Sequence, residues 1–260
     1  MNADFRRNPF NTAVVSITAW ALLALAPAVA AAGTPDYALL DEALLQNVRN
    51  GYVDYDGIKA SPGFAEFMRQ LAGKPDALAG PGAALAYHIN AYNAFAIRGI
   101  LDGYSPATRM GRYRYFKTVK FKLAGEDITL EQLDQQRIRT SGDPRIHFAI
   151  VCASISCPRL SNRAFLPDTL DAQLEDAARR FINDVTRNRF DIPQKTAFVS
   201  EIFEWFGDDF GKAQGALPGY LARYVEEPAA RAALTEGRLA IRHLPYDWDL
   251  NGRYADATPN

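Results

Sequence analysis

The chain has 260 residues, of which 48% are hydrophobic and 23% charged, and its 29 basic groups are matched by 30 acidic ones. Those fractions fit a globular protein and exclude a disordered chain. The balanced charge leaves no basic surplus to neutralise phosphates, so nucleic acid is not an expected partner.

Residues 1–32 have the three-part layout of an export signal: Arg6 and Arg7, then an apolar stretch from Ala13 to Leu25, then Pro27 and the small residues Ala28 to Ala32. Twenty mostly apolar residues from Ala13 to Ala32 could also anchor the chain, but the proline-broken, alanine-rich end favours cleavage near residue 32. No later apolar run reaches spanning length, so a soluble periplasmic protein without a stable membrane span is expected. No repeat or long linker follows, and residues 33–260 read as one domain.

Asp36 to Val48 carries Leu39, Leu40, Ala43, Leu44 and Val48 at helical spacing. Val53 to Tyr55 is of short-strand length, and Ser61-Pro62 pairs a cap with a first helical position for a helix to about Ala72. Pro81 to Leu101 is apolar on most faces and predicts a buried central helix. Lys120 to Leu130 alternates about Ala124-Gly125-Glu126-Asp127 and predicts a hairpin, after which Thr129 caps a short helix to about Ile138. Arg145 to Val151 is an apolar run of strand length, and Thr169 to Val185 is an amphipathic helix. Arg189 to Ile192 and Ala197 to Ser200 are strand candidates, Glu201 to Phe210 an aromatic-rich helix, and Leu217 to Val225 and Pro228 to Glu236 further helices. Arg238 to His243 is a last strand. Helices and strands mix without strict alternation, which predicts an α+β fold whose central helix packs on a mixed or antiparallel sheet.

The only two cysteines stand five apart, Cys152 and Cys157, just after the 145–151 run that carries His147. Three readings compete. A single pair in an oxidising compartment reads first as a small-loop disulfide. A thiol near an imidazole and loop amides is also the arrangement that makes a nucleophile, with Cys152 attacking, His147 as base and a third group orienting the imidazole. Zinc held by both cysteines, His147 and His88 or His243 would need an unusual cysteine spacing. Asn90 and Asn93, three apart, share a face of the buried helix. A buried amide ordinarily clamps a neighbouring backbone, and the sharper reading makes one of them the orienter of His147 or an oxyanion donor. Glu201, Glu204 and Asp208 predict one solvated acidic face, and Tyr246 to Asn251 a tail that packs back onto the domain. No phosphate loop, dinucleotide fingerprint or metalloprotease helix is present, so no cofactor or resident metal is expected.

Four ordered motifs carry a family resemblance: YHINAYNAFAIRGIL at 87–101, IHFAIVCASISCP at 146–158, EIFEWFGDDF at 201–210 and YDWDLN at 246–251. Together they resemble the family catalogued as domain of unknown function 547, whose bacterial members are exported. The resemblance implies that Asn90, Asn93, His147, Cys152 and Cys157 lie at motif positions, and it implies no activity. A central helix followed by a His-headed strand is also analogous to transglutaminase-like and papain-like folds, although here no cysteine lies on the helix. The resulting expectation is a cysteine-dependent acyl transferase or hydrolase acting through Cys152, His147 and Asn93 or Asn90. The alternative is a non-catalytic periplasmic binding or scaffold protein with a Cys152–Cys157 disulfide; either would take a small-molecule or peptide ligand.

Overall fold

Local chemistry sets the first third of the fold in this computed structural model, which describes residues 33–214 and 216–252 besides Met1; the expected export segment otherwise lies outside the described residues. Asp36 caps α1 (Tyr37–Asn47), and the pair β1 (Val48–Arg49) and β2 (Tyr52–Val53) forms a two-stranded hairpin before α2 (Tyr55–Ala60). Ser61 accepts from the Phe64 amide and Pro62 occupies the first turn of α3 (Pro62–Ala72), as its sequence predicts. The central helix α4 (Pro81–Leu101) has the predicted limits and buries thirteen of its residues, among them Asn90 and Asn93.

α5 (Arg109–Tyr113) runs directly into a π-helical turn, Arg114–Thr118. The hairpin of β3 (Phe121–Leu123) and β4 (Glu126–Ile128) then turns on Ala124 and Gly125, both at positive φ (53° and 85°). That is the type of two-residue turn whose twist suits a hairpin. Thr129 and Gln132 form a reciprocal capping box on α6 (Leu130–Leu133). The helix then continues as a second π-helical turn, Asp134–Ile138, and a 3-10 turn, Arg139–Ser141.

The 145–151 run is not a strand: Asp143 accepts from the Arg145 amide, Pro144 starts a 3-10 helix (Pro144–Phe148), and irregular chain follows. An apolar run alone does not separate a buried turn from a buried strand. The His-headed strand on which the transglutaminase- and papain-like analogy rested is therefore absent.

A short 3-10 turn (Pro167–Thr169) leads into the amphipathic helix α7 (Leu170–Ile182). β5 (Arg189–Asp191) pairs antiparallel with β6 (Thr196–Ser200). The predicted helix 201–210 is two helices, α8 (Ile202–Trp205) and α9 (Gly207–Gln214), broken at Phe206 (φ −116°, ψ 25°), so the expected single acidic face does not form. α10 (Leu217–Tyr224) and α11 (Pro228–Thr235) follow, and β7 (Ala240–Leu244) joins β6 in parallel.

The architecture is α+β but mostly helical, with small antiparallel and mixed sheets. Two hydrophobic clusters divide it. One surrounds α4; the other joins Phe148, α7 and α9 to α11 around the three-stranded sheet. The central helix therefore does not lie on that sheet, contrary to expectation. It packs chiefly against α2, α6 and the turns at 134–138 and 167–169. No helix among the described residues is long and apolar enough to cross a membrane.

Candidate functional site

The irregular chain from 149 to 157 is irregular by arrangement, because α4 holds it. Asn93 donates from Nδ2 to the Ala149 carbonyl (2.9 Å) and accepts at Oδ1 from the Val151 amide (3.0 Å). Asn90 clamps Phe165 in the same way, donating to its carbonyl (2.7 Å) and accepting from its amide (2.8 Å). Each side-chain amide satisfies two buried backbone groups that no regular structure serves. These contacts are those of the ordinary clamp, and among the described residues no hydrogen bond joins either asparagine to His147.

Immediately beyond the Asn93 clamp, Ala153 adopts φ 61°, a left-handed conformation rare for a residue with a Cβ. This turn brings the two sulfurs together: Cys152 Sγ lies 2.7 Å from Cys157 Sγ, and both cysteines are free. The Cys152 amide also donates to Cys157 Sγ (2.8 Å). Around Cys152 Sγ stand Ser154 Oγ at 2.9 Å and Tyr246 Oη at 3.1 Å. Tyr246 arrives because the C-terminal segment lies along this loop: the Ile155 and Ser156 amides donate to the Asp249 and Asp247 carbonyls. The predicted packing of the tail thus completes the surroundings of the thiol. Arg187 braces the loop from the other side by donating to the Cys157 carbonyl (2.9 Å).

Burial by itself pushes the Cys152 thiol up, but hydrogen bonds from Cys157, Ser154 and Tyr246 outweigh it and bring the group down to about 7. Burial and the neighbouring thiolate push Cys157 well up. Tyr246 is also raised, first by burial, so it keeps its proton and donates to the sulfur. The two thiols are therefore unlike. Cys152 is half-buried with its thiol drawn down towards neutrality; Cys157 is buried with its thiol pushed up.

His147 is elsewhere. Its Nε2 is 2.8 Å from Asp209 Oδ2, an oxygen that also accepts from Arg139 Nε (3.0 Å), and its ring stacks on Phe206 with centroids 4.0 Å apart. With the carboxylate ionised, Nε2 carries the proton and Asp209, not an asparagine, sets the tautomer. No hydrogen bond joins His147 to either sulfur among the described residues, so the expected direct base–nucleophile contact is corrected. Nor does any group of three or more His, Cys, Asp or Glu among the described residues have the arrangement of a metal site.

What the imidazole and the thiols share is a cleft of about 280 Å³. Its walls come from both π-helical turns (Phe116 and Lys117, Asp134 and Gln135) and from Tyr92, Trp205, Phe206, Tyr246 and Trp248. π-helical turns recur at functional sites, and a Lys117–Glu131 ion pair (2.8 Å) ties one turn to the helix before the other. Asp134 Oδ1 is buried without a hydrogen-bond partner, and burial pushes its carboxyl up to about 6. Asp134, Ser154, Asp209, Tyr246 and the π-helical walls were missed in the sequence reading. Asp209, Ser154 and Tyr246 lie inside the motifs at 201–210, 146–158 and 246–251, which marked the segments but not the contacts.

His147 gives a pH test. Burial lowers its pKa to about 4 against the pull of Asp209, whereas an unfolded imidazole titrates near 6.5. The unfolded chain binds a proton there that the folded chain refuses. The contribution of neutral His147 is complete above about pH 6.5 and is lost as the pH falls towards 4, at up to about 1.4 kcal/mol per pH unit. Urea unfolding across that range should show the slope, and His147→Gln should reduce it by up to one proton's worth while leaving the part due to His88, whose pKa burial also lowers to about 4.

Neither a curated protein nor a solved structure matches the chain. One family does, over residues 77–182, described as "Protein of unknown function, DUF547". The match spans the Asn90–Asn93 helix and the His147–Cys157 segment and leaves the 201–210 and 246–251 blocks outside it. The chain carries a DUF547 family domain over residues 77–182.

Proposed function

We propose that this protein is a thiol–disulfide exchange enzyme, exported by residues 1–32 to an oxidising compartment, with Cys152 attacking and Cys157 resolving. The observation that carries the reading is the unlike pair of free thiols, 2.7 Å apart beside an aromatic cleft. A disulfide bond is about 2.05 Å long, so a small local movement closes it.

The Cys152 thiolate attacks one sulfur of a substrate disulfide, forming a mixed disulfide and releasing the other substrate sulfur as a thiolate, which takes a proton from water. Cys157 then gives its proton to solvent and attacks Cys152 Sγ, releasing the second substrate thiolate, which is protonated in turn. The substrate disulfide gains two electrons, both from the cysteine pair, and two protons from solvent, one of which replaces the proton that Cys157 released. A thiolate leaves without help. An amine does not, and none of the hydrogen-bond partners of Cys152 is an acid that titrates near neutrality.

Equilibration in graded thiol–disulfide buffers, followed by alkylation and mass spectrometry, tests the reading. The pair should interconvert reversibly as a two-electron couple between about −120 and −270 mV. A pair that stays oxidised to below about −300 mV is a structural disulfide, the mark of a binding or scaffold protein, and overturns the proposal. A second reading, acyl transfer or amide or ester hydrolysis through Cys152, is favoured by one observation: His147, held by Asp209, lines the same cleft. It requires the imidazole to reach a bound substrate rather than the resting sulfur.

A further inference from the structure

Resting on the thiol-exchange reading, we infer that the disulfide taken by this site belongs to a polypeptide and lies beside an aromatic or large aliphatic side chain, which seats in the cleft next to Cys152. Three observations carry this. The first is size. About 280 Å³ falls just under the range of clefts that enclose a whole drug-sized ligand, roughly 300–1,000 Å³, and suits one inserted side chain of something larger.

The second is charge. A small physiological disulfide built from short peptides carries several carboxylates and needs a cation to recognise it. The two cations of the cleft are engaged: Lys117 Nζ with Glu131 at 2.8 Å and Arg139 with Asp209 at 2.8 Å. The third is the wall itself. Trp205, Tyr246 and Trp248 cluster with centroids 4.5 to 5.6 Å apart, the two indoles stacked and the phenol tilted against both, and Trp205 is still 43% exposed. An exposed indole beside a reactive sulfur is an anchor surface of the kind that dominates peptide recognition.

The test uses the purified protein in its dithiol form and three probes: a hexapeptide disulfide with Phe next to the cysteine, the same peptide with Asp there, and glutathione disulfide. The Phe peptide should be reduced at least about tenfold faster than the other two. Trp205→Ala should bring its rate down towards that of the Asp peptide, and Trp205→Phe should restore most of the difference. Circular dichroism checks that both variants fold, as the position is half exposed. Equal reduction of all three probes overturns the substrate class and leaves thiol exchange standing. If none of the three is reduced, both fail.

Discussion

Cys152→Ser is expected to lose disulfide reduction by at least about a thousandfold, the largest effect of any single substitution in this protein, with folding unchanged. The serine hydroxyl is somewhat smaller than the thiol but can still hydrogen-bond Ser154 and Tyr246; at neutral pH it stays protonated and does not attack sulfur. Cys157→Ser should behave differently. With the resolving thiol gone, the first step proceeds and the second does not, so the protein accumulates as a mixed disulfide on Cys152, visible as a mass increase reversed by reductant. Tyr246→Phe supplies the graded case. It removes one donor to the thiolate, a charge-assisted hydrogen bond worth about 1.5–3 kcal/mol, and should raise the pH midpoint of Cys152 alkylation by about one to two units. If Cys152→Ser keeps full activity while Cys157→Ser loses it, the roles of the two thiols are reversed and the asymmetry argued from their surroundings is wrong.

Asn93→Ala should be the most destabilising substitution near the site, by about 2–6 kcal/mol. Its side chain satisfies the Ala149 carbonyl and the Val151 amide, both on buried residues, and truncation orphans the two at about 1–3 kcal/mol each. Urea unfolding measures the loss as a shift in midpoint. Asn93→Asp should cost as much or more, because a carboxylate oxygen then faces the Ala149 carbonyl it cannot donate to. A catalytic asparagine would show the opposite pattern: unchanged stability with lost turnover.

The contrast between these two residue sets explains what was legible in the sequence. Pro81 to Leu101, Ser61-Pro62 and Thr129 with Gln132 were readable because caps and periodicity act over a few residues. The clamps at Asn90 and Asn93 were readable in kind, since a buried amide must find partners, but not in address, as their partners lie 56 to 75 residues away. His147 was misplaced because Asp143-Pro144 starts a 3-10 turn inside an apolar run that fits a strand equally well. Its real partner Asp209 required knowing that the 201–210 helix breaks at Phe206, which turns the carboxylate towards the imidazole. Tyr246 is 94 residues from Cys152, and the two π-helical turns leave no mark in hydrophobic spacing.

The strap formed by residues 246–251 has a consequence for biogenesis. Synthesis proceeds from the amino terminus, so the loop carrying Cys152 emerges well before the tyrosine that contacts its sulfur. Until residues 246–251 follow, the sulfur lacks this hydroxyl and stays closer to an ordinary thiol, which makes a nascent chain less prone to cross-link with its neighbours.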